Sequence, residues 1–494
     1  MSEYSRRGFI NTTGAGLLGL AGLPLAAAEE SHDRPRPNIL YIMADDHAAH
    51  AISAYGSRLT RTPNIDRIAE GGVRFTNCFN VNSLCAPSRA ALITGCYSSR
   101  NGFMRNGDVF DTSQVTFPQL LQKAGYQTAL VGKWHLRSQP QGFDYYSVIP
   151  GQGRYFNCPF RDSDRPWPET KKLEGYLTNV ITDKAIGWMS GRDPARPFCL
   201  MVHHKAPHGP YRYPEKYAGL FTDRDLPKPD NFYADDADRG QALAGSRGRW
   251  SRLKDALPSH FNQKVPEGIE KGTRAYQDWA YQSMFKGYLR LVACLDENIG
   301  RLLDYLDQSG LSANTLVVYT ADNGFFMGDF GLFNKMWMYE ESLRLPLLVR
   351  YPREIKARTV SEDFISLLDF APTFLDYAGA AAAPEFQGRS IRPVLEGHTP
   401  GDWRNAHYYH YYGQYDVPPH YGVRTAHYKL LHYYEMPGEE GWELYDLDKD
   451  PGENRNRYGE PGYADVVARL KTLLGRMRRR YEAPGELARE AAAK

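Results

Sequence analysis

Short, uninterrupted apolar runs recur along the chain and are separated by segments with helical periodicity. The runs cover 38–44, 127–131, 198–202, 315–319 and 345–349. Because helices cover both faces of a parallel sheet, such runs are typical of buried parallel strands. Helical patterns lie at 65–70, 117–123, 178–189 and 276–308. The alternation predicts an α/β fold with a mostly parallel central sheet flanked by helices.

Two later parts of the chain depart from this pattern. Between about 208 and 275 the sequence is rich in Pro, Asp, Arg and Gly, which predicts a long surface excursion that forms part of a substrate pocket. Tyrosine-rich alternating segments such as 421–434, followed by a helix over about 463–480, predict a smaller α+β subdomain. We therefore assign residues 36–385 to the main domain and 386–485 to a C-terminal subdomain.

The N-terminus has the features of an export signal. Arg6 and Arg7 precede an uncharged Gly/Ala/Leu-rich stretch that ends in three alanines at 26–28. This arrangement predicts a twin-arginine signal peptide over residues 1–28, handled by the twin-arginine translocase. The apolar stretch is too short for a stable membrane span, and no run of 18 apolar residues occurs elsewhere. We expect a periplasmic or secreted protein with no stable membrane insertion.

Charge and cysteine content narrow the function classes further. The chain has 60 basic and 58 acidic residues, a net charge of +2, so no strong field favours nucleic acid as a partner. Six cysteines occur without a CxxC pair, which argues against a structural zinc site. If Cys85 is chemically consumed, five cysteines remain and at least one is unpaired.

The segment Cys85-Ala86-Pro87-Ser88-Arg89 carries the most specific chemistry in the sequence. It closely resembles the C-x-P-S-R signature of the sulfatase family. The resemblance implies that a formylglycine-generating enzyme converts Cys85 to formylglycine, whose hydrate carries two hydroxyls on one carbon. One hydroxyl attacks sulfur and the other later expels sulfate, which splits a hard step into two. The helix after Pro87 directs its N-terminal amides toward an anion, and Arg89 neutralises charge.

Two acidic motifs follow predicted strands. Asp45 and Asp46 come after the first run, and Asp322 and Asn323 come after 315–319. Carboxyl ends of parallel strands are ligand-binding positions, and oxygen donors suit Ca²⁺ or Mg²⁺. Either motif alone is ordinarily a simple turn. The family resemblance implies one Ca²⁺ per chain, bound by these four side chains together with residue 85.

Further site residues follow from the same resemblance. Lys133 and His135 match the family's K-x-H, where the lysine binds sulfate oxygens and the histidine acts on the second hydroxyl. His208 matches the general acid for the leaving alcohol, with His204 as its nearest rival and a candidate substrate contact. Lys335, thirteen residues after Asp322, would contact sulfate.

The resemblance covers about residues 36–480 and implies an alkaline-phosphatase-like sandwich with a short antiparallel sheet in the C-terminal subdomain. It is nearest to glycosaminoglycan sulfatases of the N-acetylglucosamine-6-sulfatase type, so the expected substrate is a sulfated carbohydrate. His420 and Arg424 are candidate sugar contacts, although purely structural strand positions are an equal alternative. Two other functions stay open: a phosphomonoester or phosphonate hydrolase of the same superfamily, and an inactive sulfatase-like sugar-binding protein.

Overall fold

The computed structural model describes residues 36–234, 239, 242–243, 264–436, 438–483 and 485. The expected signal peptide over 1–28 lies outside these residues, as does most of 235–263. The described residues from Arg36 onward belong to one compact unit. The boundary between the two domains assigned above therefore stays a prediction. Within the described residues, none of the helices has the length and apolar character needed to cross a bilayer.

An eleven-stranded mixed sheet forms the centre of the fold. The strands up to residue 366 are β1 Asn38–Asp45, β2 Val73–Phe79, β3 Gln127–Lys133, β4 Tyr145–Ile149, β5 Pro159–Asp162, β6 Lys171–Lys172, β7 Phe198–Pro207, β8 Thr315–Ala321, β9 Phe326–Met327, β10 Phe333–Asn334, β11 Arg344–Arg350, β12 Thr359–Ser361 and β13 Ile365–Ser366. Their order is β12-β2-β11-β8-β1-β7-β3-β4-β5-β6, with β13 also beside β2, and β9 and β10 form a separate pair.

The middle of the sheet is parallel, as the sequence predicts. Strand β1 pairs in parallel with both β7 and β8, and β3 pairs in parallel with both β7 and β4. The run at 345–349 is the exception, because β11 is antiparallel to both of its neighbours, β2 and β8. A continuous apolar run shows that both faces of a strand are buried, but it carries no information on strand direction.

Helices cover both faces of the sheet. They are α1 Pro63–Glu70, α2 Cys85–Thr94, α3 Ser98–Asn101, α4 Phe117–Lys123, α5 Leu177–Gly191, α6 Arg274–Gln308, α7 Glu340–Leu343, α8 Phe370–Tyr377, α9 Arg392–Leu395 and α10 Ala464–Tyr481. Alternate residues of β1 enter different cores: Tyr41 packs with α2, α4 and α8, whereas Ile42 packs with α1, α5 and α6. This alternation is the physical basis of the expected sandwich.

A four-stranded antiparallel sheet forms the C-terminal part. Its strands, in spatial order, are β14 Ala406–Tyr411, β15 His420–Thr425, β16 Tyr428–Tyr433 and β17 Trp442–Asp446. One face packs with α10 through residues such as Val423 and Leu430, and the other buries tyrosines such as Tyr409 and Tyr433 against Trp337. The predicted antiparallel sheet is therefore confirmed, and its tyrosine-rich alternation places aromatic rings on two buried faces.

Candidate active site and metal centre

Chain direction brings the predicted site residues to one edge of the sheet. Strands β1, β3, β7 and β8 all run the same way, so their carboxyl ends lie side by side. Asp45 ends β1, Lys133 ends β3, and Asp322 follows β8 with its amide donating to the Ala44 carbonyl at 3.0 Å. His208 follows the last residue of β7. Parallel pairing thus assembles side chains that are far apart in sequence.

Cys85 is the first residue of α2 and is fully buried. The N-cap residue Leu84 has an extended backbone and provides no side-chain cap. Instead, the Ala86 amide donates to Oδ1 of Asn106 at 3.0 Å. The Ser88 amide bonds the Leu84 carbonyl at 2.9 Å and Pro87 has no N–H, so the expected row of free amides is not present. This end of α2 therefore favours an anion through the positive end of the helix dipole.

Three carboxylates and three cations form buried pairs around Cys85. The Lys133 ammonium contacts Asp45. Lys335 Nζ donates to Asp46 Oδ1 at 2.7 Å. The Arg89 guanidinium bonds Asp322 Oδ2 through Nη2 at 2.8 Å. Buried charges of this kind are stable only when paired or bound to a metal.

The pKa values at this edge show the competition between burial and charge. Burial raises the pKa of Asp322 to about 7, and the neighbouring Asp45 adds to the rise, although Arg89 opposes it. Burial alone would lower the pKa of Lys335, but Asp46 and the other acidic groups around it together outweigh burial and raise the pKa well above its usual value. Lys335 is therefore a fixed positive charge at this edge of the sheet.

The donor atoms fit a hard divalent cation. Ligand atoms of Asp45, Asp46, Cys85 and His208 all lie within 4.8 Å of one another. Oδ1 of Asp45 is buried and has no hydrogen-bond partner. An orphaned carboxylate oxygen among converging carboxylates is costly unless a cation or proton meets it. Carboxylate oxygens favour Ca²⁺ or Mg²⁺, whereas a thiol and an imidazole favour softer metals. The fit to a hard cation therefore depends on Asp45 and Asp46 and on the expected conversion of Cys85 to a residue with oxygen ligands.

Asn323 lies in the cluster with its side-chain nitrogen, and not its oxygen, facing the carboxylates. Its Nδ2 donates to Asp46 Oδ1 at 3.4 Å, and its Oδ1 accepts from Asn80 Nδ2 at 3.1 Å. Metal ligation needs the oxygen to face the carboxylates, which a half-turn of the amide achieves. Asn80, which belongs to no recognised motif, also donates to the Asp322 carbonyl and so fixes the position of Asp322.

His135 and His208 stand beside the charged cluster. His135 has a left-handed φ of 64° and a buried Nδ1 without a partner. Burial, then the charges of Lys133 and Arg89, lowers its pKa to about 2. His208 shares a hydrogen bond between Nδ1 and the Gly209 carbonyl at 2.7 Å, which assigns the proton to Nδ1. Its Nε2 lies 3.7 Å from Asp46 Oδ2, and its side chain is 20% exposed.

Comparison with known proteins places this arrangement in a family. The sequence profile described as Sulfatase matches residues 37–380. The chain belongs to the sulfatase family. A second profile, described as the C-terminal region of N-sulphoglucosamine sulphohydrolase, matches residues 328–480 of this sulfatase. The chain is accordingly a sulfate ester hydrolase with the alkaline-phosphatase-like α/β fold.

Individual relatives agree with the family profile. The sulfatase is 42% identical to an N-acetylglucosamine-6-O-sulfatase of Bacteroides thetaiotaomicron, covering 94% of this chain and 91% of the relative. A solved structure described as a complex with its substrate D-glucosamine-2-N,6-O-disulfate superposes with a TM-score of 0.84 at 41% identity, covering 90% and 98% of the two chains. A phosphonate monoester hydrolase of Agrobacterium radiobacter gives a TM-score of 0.71 at 25% identity, covering 90% and 96%.

The histidine pair on β7 is divided between the two faces of the sheet. His203 turns toward the site, with Nδ1 3.2 Å from Arg89 Nη1 and 3.1 Å from the Lys133 carbonyl. His204 is also fully buried, but neither ring nitrogen has a partner. Burial alone lowers the pKa of His204 to about 3. The expected substrate contact of His204 thus has no support in its contacts, because strand alternation directs adjacent residues to opposite faces.

His420 and Arg424 are structural in their contacts. His420 is fully buried, bonds the Pro418 carbonyl through Nδ1 at 2.8 Å, and lies among aromatic rings including Tyr433. Arg424 is 4% exposed and pairs with Glu340 at 3.3 Å. Since neither side chain is open to solvent, the structure favours the structural alternative for both over direct sugar contact.

Lys205 is a site neighbour that the sequence reasoning missed. It is 1% exposed, and Nζ donates to the Gly209 carbonyl at 3.0 Å. The same carbonyl is bonded by His208 Nδ1. Burial, assisted by the charge of Lys133, lowers the pKa of Lys205 to about 8. Its position two residues after His203 on one strand was the available signal, because alternate strand residues share a face.

Proposed function

We propose that this sulfatase removes the 6-O-sulfate of an N-acetylglucosamine-type sugar, with a formylglycine at position 85 and a bound Ca²⁺. The observation that carries the proposal is the convergence of Cys85, the Asp45–Asp46 pair and Asp322 with Lys133 and Lys335 at one sheet edge. The 42% identity to an N-acetylglucosamine-6-O-sulfatase supports the sugar. A carbohydrate of the glycosaminoglycan type is the expected source of the substrate.

The formylglycine and the calcium ion would supply different chemistry. As a hydrated formylglycine, residue 85 supplies two hydroxyls on one carbon, which allows attack on sulfur and later release of sulfate by C–O cleavage. Asp45, Asp46, residue 85, Asp322 and Asn323 would hold Ca²⁺, which would supply positive charge to the sulfate oxygens. The protein side chains provide the remaining functions.

Fixed cations orient and stabilise the sulfuryl group. Lys133 and Lys335 are fully or almost fully buried and aimed at the carboxylates, so they bring charge to the site without reorganisation. Arg89 holds Asp322 and also donates to the Lys133 carbonyl at 2.8 Å. Such preorganised charge stabilises a transition state more than a ground state when its donors meet the developing negative charge.

Proton transfer falls to the two histidines. As an imidazolium, His208 gives its Nε2 proton to the leaving alcohol oxygen and keeps the Nδ1 proton on the Gly209 carbonyl. His135, on the loop after β3, removes the proton from the second hydroxyl during sulfate release. Each imidazole is thus assigned to one of the two steps.

Maturation and export complete the proposal. A formylglycine-generating enzyme acts on the Cys85 motif before folding buries it, and the twin-arginine translocase then exports the folded protein to the periplasm or beyond. The complete burial of Cys85 supports modification ahead of folding, because a folded chain offers no access to the thiol. The arginine pair at positions 6 and 7 supports this route.

The deciding experiment combines mass spectrometry with a desulfation assay. The protein is purified from its own host, and the peptide spanning residue 85 is weighed. A mass about 18 Da below the thiol form identifies the formylglycine aldehyde. That protein should release sulfate from N-acetylglucosamine-6-sulfate. An intact, alkylatable Cys85 contradicts the covalent mechanism and favours the sugar-binding protein instead.

A phosphonate or phosphomonoester hydrolase is the second candidate. The structural similarity to a phosphonate monoester hydrolase, with a TM-score of 0.71, supports considering it. Matched aryl sulfate, phosphate and phosphonate esters separate the two functions, because only the ester group changes. A kcat/KM that is higher for the phosphonate than for the sulfate would replace the proposed function with this one.

A further inference from the structure

We propose that the loop of residues 412–417 forms a sugar-binding subsite beside the nucleophile, with the ring of Tyr415 as its platform. This inference rests on the proposed function and adds the part of the protein that holds the sugar. The loop joins β14 to β15, the strand that carries the buried His420 and Arg424.

A hydrogen-bonded relay connects Tyr415 to the nucleophile helix. Asn106 accepts the Ala86 amide on Oδ1 at 3.0 Å and donates from Nδ2 toward the Tyr415 hydroxyl at 3.4 Å. Ala86 directly follows Cys85, so one side chain separates the tyrosine from the residue after the nucleophile. A hexose ring lies only a few bonds from the sulfur of its 6-sulfate. A sugar whose sulfate is bound at residue 85 can therefore reach from the nucleophile to Tyr415.

The loop is held firmly although it is a loop. Arg105 donates from Nε to the Gly413 carbonyl at 2.9 Å and from Nη2 to the Tyr412 carbonyl at 2.6 Å. The Asn106 amide donates to Gln414 Oε1 at 3.1 Å. A platform fixed at several points loses little conformational entropy when a ligand binds.

Tyr415 is presented to solvent at a conformational cost. Its side chain is 55% exposed, while the tyrosines of the adjoining strand β14 are buried. Tyr415 and Asp416 have left-handed φ angles of 56° and 62°. Such angles are uncommon for a tyrosine and persist where surrounding contacts hold the backbone. An exposed, rigid aromatic face is suited to packing against the apolar face of a sugar.

Space for a ligand lies beside the platform. A cavity of about 400 Å³ is lined by residues that include Arg105, Tyr412 and Asp416. This volume falls within the range of small-molecule sites. The loop therefore combines an exposed ring, a fixed backbone and an adjacent cavity, and Asn106 connects Tyr415 to the nucleophile helix.

The test compares Tyr415→Ala and Tyr415→Phe with wild type, all formylglycine-bearing, on N-acetylglucosamine-6-sulfate. We expect Tyr415→Ala to raise KM about tenfold, the loss of one aromatic contact, with kcat little changed. Tyr415→Phe keeps the ring and should retain the wild-type KM. Inhibition by inorganic sulfate reports the catalytic core alone, and its inhibition constant should not change in either variant.

Val360→Ala is the control, because Val360 is another exposed apolar side chain, 52% exposed, on the short edge strand β12. It should leave KM unchanged. An unchanged KM in Tyr415→Ala overturns the subsite, as does a parallel loss of sulfate inhibition, which would report damage to the catalytic core. If wild type itself releases no sulfate from the sugar, the proposed function fails, and the subsite fails with it. The two failures are therefore distinguishable.

Discussion

The carboxyl edge of the large sheet and the junction between α7 and the small sheet both bury several ion pairs. At the edge, Asp45 and Asp46 pair with Lys133 and Lys335. At the junction, Glu340 of α7 pairs with Arg424 and Lys429 of the small sheet, along with Arg344. Composition and burial alone do not separate the two clusters.

Their electrostatic balance does separate them. Burial raises the pKa of Glu340, but Arg344 and Lys429 outweigh it, so its pKa lies well below the usual value. Burial and Asp45 instead raise the pKa of Asp322 to about 7 despite Arg89. At the junction three cations converge on the single carboxylate of Glu340, although the pKa of its neighbour Glu453 is raised. At the edge each carboxylate has one cation of its own, and ligand atoms of Asp45, Asp46, Cys85 and His208 lie within 4.8 Å of one another. The first pattern stabilises packing, and the second is typical of a site that binds a cation.

The largest expected effect concerns the edge. Cys85→Ala removes the side chain that carries the proposed formylglycine and should reduce kcat by at least about 10⁴-fold, as loss of a nucleophile does elsewhere. Sulfate release from the sugar measures the loss. The unfolding temperature should change little, because only one sulfur atom is removed. Residual activity within about tenfold of wild type would contradict a nucleophile at position 85.

The second prediction concerns the junction. Arg424→Ala leaves the Glu340 carboxylate with less compensation and also removes a guanidinium packed over the rings of Phe79 and Phe364. We expect a loss of about 3 kcal/mol in the free energy of unfolding, measured by denaturant titration. KM for the sugar sulfate should stay at the wild-type value. A raised KM with normal stability would identify Arg424 as a sugar contact, and the junction would then have a part in binding as well as in packing.

The third prediction concerns the cation. Ca²⁺ at a hundred times its dissociation constant should stabilise the wild-type protein by about 2.7 kcal/mol, and a chelator should reverse the effect. Asp45→Asn should lose most of this calcium-dependent shift in unfolding temperature. Asp448→Asn is a matched control, because Asp448 is an exposed carboxylate that contacts His427. Equal calcium responses in both variants would place the ion elsewhere.

The sequence predicted the fold and the edge cluster because both depend on local patterns. Apolar runs marked the strands, and the resemblance of the motifs after them to those of sulfatases marked Asp45, Lys133 and Asp322, which parallel pairing brings together. The junction was not predictable in this way. Arg424 bonds Glu340, which lies 84 residues away in the sequence. A Tyr/His-rich strand has the same sequence pattern whether its side chains face a pocket or a core.

The direction of β11 and the position of Asn80 were missed for a related reason. An apolar run is the same in either direction, so its antiparallel pairing with β8 needed tertiary information. Asn80 carries no recognisable motif, and its bond to the Asp322 carbonyl spans 242 residues. Local sequence thus identifies the residues that carry out chemistry more readily than it identifies the residues that hold them in position.

Lys205 gives the smallest expected effect and the finest distinction, because it is a buried cation that belongs to neither cluster's ion pairs. It shares the Gly209 carbonyl with His208, so its loss should disturb the position of the general acid without removing it. Lys205→Met keeps nearly the full length of the side chain but removes its charge and its hydrogen-bond donor. It should reduce kcat on the sugar sulfate about tenfold. An aryl sulfate with a good leaving group needs little protonation, so its kcat should fall much less. Equal losses of kcat on both substrates would mean that Lys205 supports the sulfate-binding edge as a whole. In that case Lys205 would not act through the position of the general acid alone.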